Sequence, residues 1–220
     1  MAGHPIFAAL YEKLLAANEQ AGLRDIRAGL LRSASGRTLE IGAGTGLNLE
    51  HYPDAVTELV LSEPDPHMAK RLRATVGTRS PVDSVEVSEA GAESLPYEAD
   101  SFDTVVSTLV LCTVSDPERA VAEASRVLRP GGRLLFIEHV RDRAGTRRSQ
   151  WQDRLERPWG WFLGGCHPNR DTGRLIADAF EVPEPHPGEM PGTDPATGLI
   201  KPLISGEARV PLPADRAAQI

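Results

Sequence analysis

Thr38-Leu39-Glu40-Ile41-Gly42-Ala43-Gly44-Thr45-Gly46-Leu47-Asn48, or TLEIGAGTGLN, sets a short apolar run directly before three glycines at every second position. That order predicts a strand, Arg37 to Ile41, whose carboxyl end runs into a turn without side chains. From Gly46 to about Tyr52 a helix is expected to open. A glycine turn between a first strand and a helix lies at the carboxyl edge of an open α/β sheet, where ligands bind.

The rest of the chain fits such a sheet. Leu59-Val60-Leu61-Ser62 reads as a second buried strand ending at Glu63, and Pro64-Asp65-Pro66 starts a helix reaching about Val76. Val85-Glu86-Val87 is a third strand, and Phe102 to Leu109 a fourth, apolar and β-branched as in a parallel sheet covered on both faces. Asp116 caps a helix to Leu128, Pro130-Gly131-Gly132 stops it, and Arg133 to Val140 is a fifth strand. Before this core, residues 5–32 read as helix, with Ile6, Leu10, Leu14, Leu23, Ile26 and Leu30 at helical spacing and a break at Gly22. After it come a charged loop (141–148), a Trp-rich helix (Gln150 to Leu163), a second helix (Thr172 to Phe180), proline-laden segments and a strand-like run from Leu199 to Val210. Alternating strands and helices predict a doubly wound α/β domain. We divide it into N-terminal helices (1–35), a cofactor-binding core (36–140), a helical lid and substrate region (141–180) and C-terminal strands (181–210).

The chain has 220 residues, 40% hydrophobic and 25% charged, with a net charge of -7. That is ordinary for a globular protein and gives no general pull toward nucleic acid. Its two cysteines, Cys112 and Cys166, make no disulfide framework, and a cytoplasmic location is expected. The longest apolar stretch, Val105 to Val114, is too short to span a bilayer.

A dinucleotide turn has the pattern G-x-G-x-x-G, whereas Gly42-Ala43-Gly44-Thr45-Gly46 is G-x-G-x-G. Glu40 stands two residues before the first glycine, where its carboxylate repels a pyrophosphate and attracts an ammonium or sulfonium group. Glu63, at the end of the second strand, is placed to accept hydrogen bonds from ribose hydroxyls. A ribose, a positive amino-acid tail and no phosphate describe S-adenosylmethionine.

The blocks LEIGAGTG (39–46), LSEPDPHM (61–68), EAGAESLPYEADSFDTVV (89–106) and EASRVLRPGGRLLFIEHV (123–140) resemble the class I S-adenosylmethionine-dependent methyltransferases, in the small-molecule branch that includes the ubiquinone and menaquinone methylases. From the first to the last, residues 39–140, they span about half the chain in the family's order. The lead-in ALYEKLLAANEQAGLRDIRAGLL, the run LVLCTV and WQDRLERPWGWFLGGCHPNRDT further resemble the methyltransferase-like group whose animal members methylate thiols. Those animal relatives carry a hydrophobic N-terminal anchor, which is not expected here. The resemblance implies a Rossmann-like, mainly parallel seven-stranded sheet, S-adenosylmethionine as cofactor, and a small, lipophilic acceptor with sulfur preferred.

It also implies roles for individual residues. Glu40 holds the cofactor's amino group, directly or through water. Gly42 and Gly44 permit close approach, while Gly46 serves either approach or packing. Glu63 takes the ribose. Pro64 and Met68 wall the adenine, with a plain core role for Met68 as the alternative. Ala92 and Glu93 are adenine candidates, Glu93 being otherwise a solvated loop acid. Thr108 and Leu109 lie beneath the methionine part, and Asn48 approaches the cofactor. Tyr11, Trp151, Trp159 and Asn169 are substrate-binding candidates. Trp151, Trp159, Trp161 and Phe162 form either an apolar lid or the core of an appended helix.

His139, near the end of the fifth strand, is the candidate general base or else a structural histidine. Cys112 reads as a small buried hydrophobe. His4, His51, His67, His139, His167 and His186 form no paired ligand motif, so no metal is expected. No G-x-S-x-G turn supports a hydrolase. The competing readings are C- or O-methylation of a quinone or polyketide-like ring, a non-catalytic cofactor-binding protein, and an NAD-dependent reductase, which Glu40 and the glycine spacing disfavour.

Overall fold

The computed structural model describes residues 15–182, 185–193 and 195–212. Tyr11 and the positions Ile6, Leu10 and Leu14 lie outside them. A seven-stranded sheet forms the centre, with β1 (Gly36–Ile41), β2 (Val56–Ser62), β3 (Val85–Ser88), β4 (Phe102–Thr108), β5 (Leu128–His139), β6 (His186–Glu189) and β7 (Pro202–Arg209). Their spatial order is β3-β2-β1-β4-β5-β7-β6. The first five are parallel, and β7 runs antiparallel between β5 and β6. Strand order reverses between β1 and β4, so their carboxyl ends open a crevice at this switch point.

Strand periodicity sorts the core into two faces. Leu39, Val60, Val105, Leu134 and Phe136 pack on one face with Ala120, Val121 and Ala124 of α3 (Pro117–Val127) and Ile176 of α5 (Thr172–Ala179). Leu59, Leu61, Val106 and Leu135 pack on the other with Leu31 of α1 (Arg24–Leu31) and Leu72 of α2 (Pro66–Arg79). Glu40 follows Leu39, and so turns toward the α1 and α2 face.

The ends of these helices are chemically set. Asp65 accepts from the backbone N–H groups of His67 and Met68, with Pro66 in the first turn of α2. Asp116 accepts from Arg119 N at 2.9 Å, with Pro117 beginning α3. Asp116→Ala should lower stability by about 1 kcal/mol, the usual cost of a lost N-cap, read as a small drop in the urea midpoint with unchanged slope.

Two expectations are corrected and one is met. The helix beyond Gly46 is a single 3-10 turn, Leu49–His51. Gly46 has φ +90°, and Asn48 spends its side chain on Glu40 and Thr108 instead of leaving the backbone free to wind outward. The expected break at Gly22 is present: at φ +130° it leaves helical geometry and kinks the chain within the π-helical turn Glu19–Leu23, just before α1. Pro130-Gly131-Gly132 lies within β5, where Leu128 pairs Phe102 and Arg133 pairs Thr104, so the segment is an irregularity that adds three residues to this strand.

Candidate functional site

The glycine turn is stitched to β2 by its own backbone. Ala43 N donates to Ser62 O at 2.9 Å, and Gly44 N donates to Glu63 Oε2 at 2.8 Å. Asp65 N donates to Glu63 Oε1 at 2.9 Å. Glu63 is therefore held by both oxygens at the rim, 7% exposed, and each oxygen keeps further acceptor capacity. Burial pushes its carboxyl above the ordinary range against those two bonds. Gly42 and Gly44 both have φ +60°. A Cβ on Gly42 would fall 2.7 Å from both Val110 methyls, and one on Gly46 2.6 Å from Leu49 Cδ1 and 3.0 Å from Leu72 Cδ1. Gly46 thus serves packing against Leu49 and α2.

Glu40 is 1% exposed and already partnered. Tyr52 Oη donates to its Oε2 at 2.6 Å and Asn48 Nδ2 to its Oε1 at 2.9 Å. Asn48 Nδ2 also reaches Thr108 Oγ1 at 3.0 Å. Behind them Arg27, 2% exposed, donates to Asn48 Oδ1 at 3.0 Å, to Thr108 Oγ1 at 2.9 Å and to Glu19 Oε1 at 3.0 Å. Burial raises the Glu40 carboxyl to about 7, although Tyr52, Asn48 and Arg27 pull it down; the Glu63 charge raises it further. Glu40 is thus a buried source of negative potential behind the turn. Arg27 and Tyr52 were missed by sequence reasoning. The available signal for Arg27 is its place midway between buried Leu23 and Leu31, a charge on an apolar helical stripe.

Around these acids, Met68 (5% exposed) faces inward from α2 while Pro64 is exposed. Ala92 is buried, and Glu93 Oε1 accepts from Ser115 N at 2.9 Å, which ties its loop to the segment after β4. Thr108 belongs to the Arg27 network. Leu109 has φ +60°, a left-handed conformation that costs a leucine about 1 kcal/mol or more. Strain of this kind at the end of a strand marks a rim whose shape is over-determined. Glu138, also missed, is fully buried and organises the same rim: its Oε1 accepts from Ser107 Oγ (2.8 Å), Val110 N (3.1 Å) and Leu111 N (3.2 Å), while Oε2 has no partner among the described residues.

The helical region departs from the reading of its aromatic residues as the core of an appended helix. In α4 (Arg147–Phe162), Trp151, Trp161 and Phe162 are 53%, 79% and 71% exposed, so they do not build a core. Trp159 alone turns in, its Nε1 donating to Cys166 Sγ at 3.3 Å. Asn169 Nδ2 donates to Asp153 Oδ1 at 3.3 Å. A groove of about 310 Å³ is lined by Trp151, Leu155, Trp159 and Leu199, joined by Arg148 and Gly198. A larger cavity, about 700 Å³, borders Thr45 and Gly46 with Glu19, Arg24 and Thr75, yet Glu40, Glu63 and Ala92 take no part in it. We therefore place the site by its chemistry at the sheet rim.

His139 is 2% exposed, with Nε2 at 3.1 Å from Cys166 Sγ and Nδ1 without a partner among the described residues. It is turned to the cysteines instead of standing at an open rim. Cys112, His139 and Cys166 offer three donor atoms, all within 4.8 Å of one another. Spacing along the chain gave no hint of this group, because each member comes from a different segment. Cys112 pulls the Cys166 thiol well below the ordinary range, helped by His139 and Trp159, and the Cys112 thiol is pushed up in turn.

Residues 39–136 match the family described as the methyltransferase domain. The chain is 38% identical to human thiol S-methyltransferase TMT1B over 152 residues, 68% of this chain and 62% of that protein. It is 31% identical to human thiol S-methyltransferase TMT1A over 174 residues, 79% of this chain and 71% of that one. Among solved structures, N-methyltransferase NodS from Bradyrhizobium japonicum, in complex with S-adenosyl-L-homocysteine, shares the fold with a TM-score of 0.63 at 19% identity, covering 88% of this chain and 86% of that one. The chain belongs to the class I S-adenosylmethionine-dependent methyltransferases. It spans about three fifths of the length of the TMT1B proteins it matches. No helix among the described residues is long and apolar enough to cross a membrane.

Proposed function

We propose that this chain transfers a methyl group from S-adenosylmethionine to a small, lipophilic acceptor, a thiol in preference to oxygen, nitrogen or carbon. The observation that carries the reading is the pair of buried carboxylates at the ends of β1 and β2, Glu40 and Glu63, on the strands that hold the glycine turn. Each has its carboxyl raised by burial, and the Glu63 charge raises Glu40 further, so both gain from a cation and would lose by a phosphate. The absence of an α-helix start behind the glycines removes the usual pyrophosphate seat as well. The thiol preference rests on the names of the relatives.

When bound, the cofactor supplies a methyl group on a cationic sulfur that departs as a neutral thioether. The chain's own work is to bind, orient and exclude water. Glu63 accepts the ribose hydroxyls with its spare lone pairs. Glu40, enclosed by Asn48 and Tyr52, acts on the amino-acid end from behind the turn in its ionised form. Met68 and Ala92 flank the adenine, and Thr108 with the strained Leu109 forms the floor near the methionine part. A thiol of ordinary pKa is partly ionised near neutrality and needs little help from a base, so no proton is routed through His139.

Cofactor affinity should depend on pH through Glu40. Its folded pKa, about 7, lies above the ordinary value of 4.5. Below it the carboxyl is neutral and the attraction is lost, so affinity rises with pH up to about 7, by at most about tenfold per pH unit. The same shift makes the folded state favour the neutral form. This stabilisation is full below 4.5 and is lost as pH rises through about 7. Calorimetric titration with S-adenosylhomocysteine across that range checks the first point. Glu40→Gln should flatten the profile at the weak-binding level.

Thiols, phenols and quinols, offered singly with S-adenosylhomocysteine release as the readout, test the acceptor class. Thiols should turn over fastest. Release with phenols or quinols alone would overturn the sulfur preference, and release with none would leave only binding.

A further inference from the structure

We infer that Cys112, His139 and Cys166 form a binding site for a zinc ion. Cys112 lies in the turn after β4, His139 ends β5, and Cys166 follows α4, so three segments distant in sequence converge on one point at the carboxyl edge of the sheet. The inference stands on this geometry and not on the methyl-transfer reading.

All three side chains are buried, at 2%, 2% and 9% exposure. Tetrahedral zinc bonds of about 2.3 Å to sulfur and 2.0–2.1 Å to nitrogen put neighbouring donors roughly 3.5–3.8 Å apart. The donors here all lie within 4.8 Å, and His139 Nε2 to Cys166 Sγ is 3.1 Å, so sub-ångström side-chain shifts admit the ion. Two thiolates and a neutral imidazole around a divalent cation carry no net charge, which suits a buried position. The donor set is sulfur and nitrogen with no oxygen, which selects zinc over magnesium or calcium. An outer partner is in place too: Trp159 Nε1 already donates to Cys166 Sγ at 3.3 Å. Three protein ligands leave the fourth position to a donor from outside the group. The bound ion would pin the segment after α4 to the ends of β4 and β5.

Cobalt(II) is the probe. The full chain is reduced, stripped with a chelator and titrated anaerobically with cobalt, then with zinc. The expected result is one equivalent of cobalt bound, with the visible bands of a tetrahedral site and a thiolate-to-metal charge-transfer band, displaced by one equivalent of zinc. Cys112→Ser and Cys166→Ser, shown to be folded by circular dichroism, should each remove about half the charge-transfer intensity. Each should weaken zinc binding by more than the roughly 10–100-fold that loss of an outer partner costs. The wild-type titration decides the matter even if a variant fails to fold. A reduced wild-type chain showing only the weak octahedral cobalt spectrum, or a folded double variant retaining the charge-transfer band, would overturn the site.

Discussion

Glu63→Ala should weaken S-adenosylmethionine binding by roughly 100- to 1000-fold. Hydrogen bonds to a charged acceptor contribute about 1.5–3 kcal/mol each; the two ribose hydroxyls assigned to Glu63 share its oxygens with Gly44 N and Asp65 N, which puts them near the low end, about 3–4 kcal/mol together, at 1.4 kcal/mol per tenfold. The carboxylate also fixes the turn, since Gly44 N and Asp65 N both donate to it. Alanine leaves these two N–H groups without their partner, which costs part of the gain from removing a buried acid whose carboxyl burial has raised. The melting temperature should therefore move far less than the affinity. Glu63→Gln keeps one acceptor oxygen and should fall between the two. Calorimetry with S-adenosylhomocysteine reads the effect. Unchanged affinity in Glu63→Ala would remove the ribose from this carboxylate.

Arg27→Met is expected to destabilise the fold by about 3–5 kcal/mol, the range for removing one partner of a buried charged network. Arg27 reaches Glu19, Asn48 and Thr108 and contributes to holding Glu40 down. Methionine fills similar space, so the loss is electrostatic and not a cavity. Without the cation, Glu40 should titrate above 7, and the pH at which cofactor affinity levels off should rise with it. Denaturant unfolding gives the stability loss, and the shifted pH profile separates this role from simple packing. A stable variant with an unshifted profile would detach Arg27 from Glu40.

The sheet was legible because its strands are apolar runs such as Leu59 to Leu61 and Val105 to Val106, bounded by glycine, proline and acidic caps. Those are local signals with local causes. Glu40 and Glu63 were legible as strand-end acids, but the enclosure of Glu40 by Tyr52, Asn48 and Arg27 was not, since it is made by side chains from separate elements. The helix after Gly46 failed for the same reason: Asn48 turns inward to a strand partner that local propensity does not register. The exposure of Trp151, Trp161 and Phe162 was not legible because an aromatic cluster has the same sequence whether it faces a core or water. Cys112, His139 and Cys166 meet only after β4, β5 and α4 have packed. Their convergence is a property of topology.

The most direct test of the cationic-cofactor seat is calorimetric titration of the full chain with S-adenosylmethionine and, separately, with NAD. Saturable one-to-one binding of S-adenosylmethionine, weakened strongly by Glu63→Ala, is expected, with no binding of NAD. Binding of NAD without binding of S-adenosylmethionine would contradict such a seat.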